Sequence, residues 1–445
     1  MKTGNSMNKY SFQHLVPIII TILAVIHPSG MAQSSHQNAL TLDEAIQMTI
    51  NNYPLIKEEQ EKIKAVDYKI DQQKSFYYPN IEGQASYTRI GPLPSFSFGG
   101  EKMILAPANN YNINVLLNEQ IYDFGKRDAA LDLIKSYKQT AADNVDFVKS
   151  DLSYRTLQTF YTILFLEKSI TVKDTQIAAL NTHLAVTNKK IESGSATDYD
   201  ALSTQVRISQ AKREKIELLN QLKQQKITLN RLLGISQDST LTLQGNFLIP
   251  ASVSDTDSLI SIAFQKRSEL KLAEDQLNSS HFQEHLAGLG DLPGLNATLG
   301  YGIKNGYEPN LDALRGNWLA AVSVKVPIFN GFLTRYKESE AKVNTSAAEL
   351  GIATLKRNII SQVQQAASDL NTGIDKLRST LIQVNFAEQT VQRAVSRYNA
   401  GVGTNLDLLD AETSLAESRL FYLQDLFRSI LSFYKLKQSV GDIIY

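Results

Sequence analysis

Two histidines four residues apart, His281 and His285 with Glu284 between them, read as H-x-x-E-H. That spacing sets both imidazoles on one helical face and suits a zinc ion working beside a carboxylate. A catalytic zinc takes three protein ligands, and the sequence offers no evident third one near this pair. His183 stands singly in a long helical run and reads as a surface or packing residue. There is no phosphate-cradling glycine loop and no nucleophile elbow. The chain has no cysteine, which removes thiol catalysis, disulfides and Cys-ligated metals. No enzyme, catalytic residue, cofactor or metal site is read. What remains is a set of carboxylates, Asp200, Asp407 and Asp410, each just beyond a glycine-bearing reversal. Thr197-x-x-Asp200 and Thr404-x-x-Asp407 have the form of a capping box, in which the acid serves backbone amides. Asp410 lies past the cap and shares a helix face with Asp407 at i, i+3. The cap leaves Asp410 unexplained, which makes it the stronger candidate to attract ions.

The element that positions these acids is written twice. Lys190–Ala201 (KIESGSATDYDA) and Arg397–Glu412 (RYNAGVGTNLDLLDAE) align when the chain is shifted by 207 positions, so that Gly194 falls on Gly401 and Thr197 on Thr404. The same shift lays Ile121-Tyr122-Asp123 on Ile328-Phe329-Asn330. Upstream the shift is 214 (Pro54 on Ser268), so the first copy carries extra residues, expected in its longer loop. Each copy reads as short helices, a β-hairpin, a very long helix, the reversal and a return helix. The first repeat is placed at 33–235, with hairpin 80–121, long helix 125–192 and return helix 197–233. A Ser/Asp/Thr-rich linker, 236–258, lies on the outside of the helices. The second repeat is 259–445, with hairpin 294–328, long helix 332–400, return helix 404–440 and a C-terminal tail. Gly194, Ser195 and Thr197, and Gly401, Gly403 and Thr404, form the two hairpin tips. Gly401 and Gly403 are expected to supply unusual backbone angles there.

The hairpin strands alternate with period two. Val115, Leu299, Tyr301, Val322 and Val324 belong to one set. Asn114, Asn296, Ser323 and Lys325 belong to the other. Gly91–Asn110, with three prolines, reads as a loop. Each strand has roughly ten residues, enough to cross a bilayer at a tilt, and Tyr, Trp or Phe stands near several strand ends. The apolar set is therefore expected to face lipid and the polar set a lumen.

Lysines 2 and 9 precede the apolar run Leu15–Ile26, which is too short to span a membrane, and Gly30-Met31-Ala32 offers small residues. Residues 1–32 read as a cleaved signal peptide, with maturation expected near Gln33. Past it no long apolar run follows, so entry into a membrane must be by strands. Charges balance, 45 basic against 45 acidic, and no basic footprint for nucleic acid exists.

Four strands cannot close a barrel, and an open sheet edge in lipid is costly. Two chains would give eight strands with a filled interior; three give twelve and leave a passage. The fold class expected is a mixed α and β membrane protein. Long α-helical hairpins form a periplasmic α-barrel, and four β-strands per chain contribute to a shared trimeric twelve-stranded β-barrel. An alternative stays open: a secreted structural or adaptor-like coiled-coil protein with soluble β-hairpin domains, which explains the helices but not the paired strands at matched points.

The chain resembles the TolC family of outer-membrane efflux proteins across its whole mature length. LTLDEAIQMTINNYP, YDFGKR, IFNGF and above all RYNAGVGTNLDLLDAE carry the resemblance. It implies a homotrimeric exit duct in the outer membrane, touching lipid, reaching into the periplasm, and docking by its helix tips on a periplasmic adaptor (membrane fusion) protein and an inner-membrane pump of an efflux or type I secretion system. It also implies that Asp407 and Asp410 line the narrow periplasmic entrance, to which Asp200 adds a ring from the first copy. Like charges in such rings should raise some carboxylate pKa values and draw in multivalent cations. The arginine that helps close the entrance in family members falls on Gly403, so that lock is lacking.

Overall fold

The computed structural model describes residues 39–442 apart from Pro250; the expected signal segment at 1–32 lies outside the described residues. The chain opens with α1 (Leu42–Asn52), started by a capping box between Thr41 and Glu44. Tyr53 is extended, because Pro54 follows it, and Pro54 then begins α2 (Pro54–Ser75). Helix α2 stops three residues before the expected Tyr78. The chain turns at Phe76–Tyr78, where the Tyr77 hydroxyl donates to Asp128 at 2.5 Å and the Arg127 guanidinium lies 4.8 Å over the Tyr77 ring.

Strand β1 (Asn80–Arg89) is followed by a feature that periodicity missed. The stretch read as loop carries a small separate hairpin, β2 (Ser95–Phe98) and β3 (Glu101–Ile104), before β4 (Asn109–Tyr122). Four-residue strands are too short to show an alternation against three nearby prolines. The long helix α3 (Lys126–Glu192) and return helix α4 (Asp198–Leu233) complete the first copy. The second consists of α5 (Thr256–Lys266), α6 (Ser268–Gly288), β5 (Gly294–Lys304), β6 (Arg315–Lys325), α7 (Leu333–Asn399) and α8 (Asn405–Val440). Helices α3 and α7 have 67 residues each, about 100 Å at 1.5 Å per residue.

Length is matched by end-to-end stacking. Helix α3 packs along both α2 and α4, and α7 along both α6 and α8. At the first junction the Asn52 side-chain amide donates to the Leu233 carbonyl at 3.1 Å. At the second, Arg267 plays the part of Tyr53: it is extended, buried, and bonded to Glu269 (2.7 Å), Gln362 (2.6 Å) and the Ser439 carbonyl (3.4 Å). Apolar stripes fill the seams. Leu157, Phe160 and Ile163 of α3 meet Leu229, Leu233, Leu377 and Ile430 in one cluster; Ile359, Val363 and Leu370 of α7 meet Ala263, Leu270 and Val440 in another. Each fully buried Leu, Ile or Phe contributes about 1.5–3 kcal/mol before its entropy cost. The 236–258 linker is a strap across these helices. Leu243 is buried and bridges to Leu40, while the Asn371 side chain holds both the N–H and C=O of Val253.

The main sheet is antiparallel in the order β1-β4-β5-β6, so β4 and β5 join the two hairpins and β1 and β6 are left as edges. Register puts Gly83, Val115, Tyr301 and Trp318 in one row across the sheet and Ile81, Leu117, Leu299 and Ala320 in another; Ala297 pairs with Val322 and Leu295 with Val324. The other face carries Gln84, Asn114, Gly302 and Asn317 in one row and Gln120, Asn296 and Ser323 in another. Lys325 follows two positions after Ser323 on this face. Three residues break the polar pattern there: Leu116, Leu319 and Ala321. A bulge between Gln120 and Tyr122 swings Tyr122 opposite Leu295, onto the apolar face. Among the described residues no helix is long and apolar enough to cross a membrane.

Candidate functional site

Two surfaces hold the residues singled out from sequence: the helix-hairpin tips and the sheet. At the tips both helices end in the same way. Gly194 and Gly401 have φ of +74°, and the following amides return to the last turn: Ser195 N–H donates to Lys190 O at 2.7 Å and Val402 N–H to Arg397 O at 3.0 Å. Gly403 differs from the expectation, since its φ is not positive. It is constrained by proximity instead. A β-carbon at 403 would stand 3.0 Å from Arg397 Cβ and 3.1 Å from Tyr398 N, so a side chain there forces the turn to give.

The next helices start with reciprocal capping boxes. Thr197 Oγ1 accepts from Asp200 N–H at 3.3 Å and Asp200 Oδ2 accepts from Thr197 N–H at 2.9 Å; the Thr404–Asp407 distances are 3.1 and 3.0 Å. The Thr404 amide and hydroxyl hold the Asp407 carboxyl below its ordinary value, with a smaller push from Arg397. Within one chain, then, Asp407 shifts opposite to the rise expected from stacked rings. Its capping contribution is present above the ordinary aspartate range and is lost as pH falls through the lowered value. Thr197→Ala and Thr404→Ala should each cost about 1 kcal/mol of local stability, read as faster amide exchange confined to the first turns of α4 and α8.

Asp410 is not left without a structural partner. Arg207 of α4 donates to it at 3.0 Å, tying the return helices of the two copies together beside the tip. Asp407, Asp410, Arg393, Arg397 and Gly403 line one open recess between α7 and α8.

A second connection across the copies is buried. Asn405 gives its side-chain N–H to the Asp200 carbonyl at 3.2 Å, so its oxygen faces His183 Nε2 at 2.6 Å as an acceptor. The imidazole therefore carries its proton on Nε2. Burial lowers the His183 pKa and keeps the ring neutral. The imidazole and the Tyr398 ring pack nearly perpendicular, with centroids 4.8 Å apart. The Thr187 hydroxyl donates to the His183 carbonyl, so it receives the Tyr398 hydroxyl at 3.1 Å. Lys190 lies over the Tyr398 ring, 4.0 Å from its centroid, and donates to the Tyr398 carbonyl. In the sequence His183 stands alone, because its partners Asn405 and Tyr398 lie more than 200 positions away and leave no local signal.

The pair His281 and His285 sits exposed at the end of α6, where Glu284 and Glu338 line the same recess. Glu338 is paired to Lys342 at 2.6 Å. Among the described residues no three His, Cys, Asp or Glu are arranged to hold a metal ion.

On the sheet, Val115, Leu299, Tyr301, Val322 and Val324 share one face and all are more than half exposed. With Ile81, Tyr87, Ile113 and Trp318 they make a contiguous exposed apolar surface spanning four strands. Soluble hairpins bury such a face, so the coiled-coil alternative with soluble β-domains fails on this point.

The family profile described as "Outer membrane efflux protein" matches residues 45–235 and 259–441, once over each copy. Among curated proteins, the chain is 22% identical over 387 residues to protein CyaE of Bordetella pertussis, covering 85% of this chain and 79% of that one. It is 21% identical over 319 residues to outer membrane protein TolC of Vibrio cholerae, covering 71% and 73%. Among solved structures, the outer membrane protein VceC of Vibrio cholerae superposes with a TM-score of 0.74 at 16% identity, over 90% of this chain and 96% of that one. A membrane protein from Pseudomonas aeruginosa gives 0.75 at 17% identity, over 90% and 93%. These likenesses establish a shared fold.

Proposed function

The chain belongs to the outer membrane efflux protein family, and from that premise we propose that three copies close their sheets into one twelve-stranded barrel that serves as the exit duct of an efflux or secretion system. The observation that carries this reading is a four-stranded sheet with an exposed apolar face and two unpaired edges, β1 and β6. In lipid those edges must pair, and β6 of one copy meeting β1 of the next does so for each chain. The strands, 10–14 residues long, cross a hydrocarbon layer about 25 Å tall when tilted. Val115, Leu299, Tyr301, Val322 and Val324 then face lipid, and Asn114, Asn296, Ser323 and Lys325 face the water-filled lumen.

The helices continue the passage into the periplasm. Their tips, Gly194, Ser195, Thr197, Gly401, Gly403 and Thr404, dock on a periplasmic adaptor that links the duct to an inner-membrane pump. Asp407 and Asp410 ring the entrance, with Asp200 beside them. The duct performs no chemistry of its own: the pump supplies the work, and the barrel supplies a polar path. Crosslinking of the protein in intact outer membranes is expected to end at three chains. A ladder ending at two, or no ladder, overturns the trimer.

A further inference from the structure

The two copies meet along a seam between α3 and α6, and the seam carries an acidic pair that no part of the duct reading uses. Asp143 of α3 is 4% exposed. Its carboxylate accepts from Lys271 of α6 at 2.5 Å and from Gln139 at 2.8 Å. Asp275, one turn further along α6 than Lys271, faces the same carboxylate, and its Oδ2 is buried with no hydrogen-bond donor within reach. A buried oxygen without a donor is poorly served as an anion. As a hydroxyl it can give its proton to the neighbouring carboxylate, which has the lone pairs to accept it. We propose that Asp143 and Asp275 share one proton across the α3–α6 seam, and that losing this proton loosens the join between the two halves of the chain, so that the helical wall responds to pH.

The charges around the pair agree with this. Burial first, and then the Asp143 carboxylate, push Asp275 up to about 6; Lys271 opposes the rise and Glu274 adds to it. Burial alone would raise Asp143 too, but Lys271, Gln139 and Asp275 outweigh it and hold it below the ordinary value. Lys271 is shared, feeling Asp143, Asp275 and Asp146. With one proton on the pair, a single anion faces a single ammonium. Above about pH 6 two carboxylates face one lysine inside the seam. The raised group stabilises the seam at low pH and its contribution fades as pH climbs through about 6; the lowered group acts in reverse at more acid pH. The join is therefore tightest when the pair holds one proton, and the two groups titrate as a unit. The proton has a route out, since Asp143 borders a recess open to solvent and lined also by Asp146, Asp151, Lys266 and Glu269.

Two other links along the seam involve no carboxylate. Ser136 and Ser279 share a hydrogen bond at 2.9 Å, and Lys126 donates to the Leu292 carbonyl at 2.7 Å. A pH response confined to the stretch around residues 270–279 would thus report the acid pair.

Amide exchange of the full-length purified protein in detergent, corrected for intrinsic rates and followed from pH 5 to 8, tests the proposal. In the wild type, opening of α6 and the facing turns of α3 should increase as pH rises towards about 6, by up to ten-fold per pH unit for one linked proton, and level off above it. Asp275→Asn keeps an N–H donor for Asp143 and cannot titrate, so its profile should be flat and protected throughout. Asp143→Asn removes the anion that raises Asp275 and should move the midpoint to lower pH. A wild-type profile without pH dependence overturns the proposal, as does an Asp275→Asn profile that keeps the wild-type slope.

Discussion

Val322→Asp should abolish assembly of the barrel, and Ser323→Asp should leave it intact. The two residues are neighbours on β6, yet they occupy opposite faces. Val322 pairs with Ala297 in the apolar set, and Ser323 with Asn296 in a polar row that continues to Gln120. A carboxylate on the lipid face costs up to about 2 kcal/mol per chain near mid-membrane, and a trimer incurs it three times. On the lumen face the same group stays hydrated. The readout is the fraction of heat-modifiable, detergent-resistant oligomer in outer-membrane fractions. Equal tolerance of both changes would mean that this face does not meet lipid and would remove the main support for a membrane barrel.

The second large effect is expected at the tip. If Asp410 rings the entrance, Arg207 sets how much of its charge reaches the passage. The pair is partly exposed on both sides, and exposed ion pairs contribute little to stability, about 0–1 kcal/mol. Changes here should therefore leave folding intact while altering ion binding. Arg207→Ala frees three carboxylates per trimer and should strengthen block by divalent cations in planar-bilayer recordings by about ten-fold or more, the scale of one unit charge a few ångströms away. Asp410→Asn should weaken block by a similar factor. Asp407→Asn should do less to block but should fray the first turn of α8, because that carboxylate is already engaged by Thr404. Unchanged block in Arg207→Ala and in the Asp407→Asn, Asp410→Asn double variant would leave these acids as caps and surface pairs. The entrance would then have to be sought elsewhere.

Gly403 bears on the same question. Its turn packs tightly against Arg397 and Tyr398, so a side chain as large as an arginine could be placed there only if the turn gave way. The connections that hold the two hairpins together at the tip include Arg207 to Asp410, His183 to Asn405 and Thr187 to Tyr398.

The sequence by itself determined what depends on chain period and local caps. A Thr three residues before an Asp starts a helix at Thr197 and again at Thr404, because the reciprocal hydrogen bonds are made within four residues. Alternation in Ala297–Tyr301 and Ala320–Val324 separates two sheet faces, because successive strand side chains point oppositely whatever the partner. The doubled pattern and the family it resembles followed from the same local signals. Only the tertiary structure decided which strands are neighbours, with β4 beside β5 across the two copies, since equal alternation permits any order. It alone found β2 and β3, too short to carry a period, and it replaced an assumed positive φ at Gly403 with a close approach. It also supplied the partners of Asp410, His183 and Asp275, which come from helices more than 100 residues away. A side chain's chemistry is written in its type, but its pKa, tautomer and ion pairing belong to whatever packing brings against it.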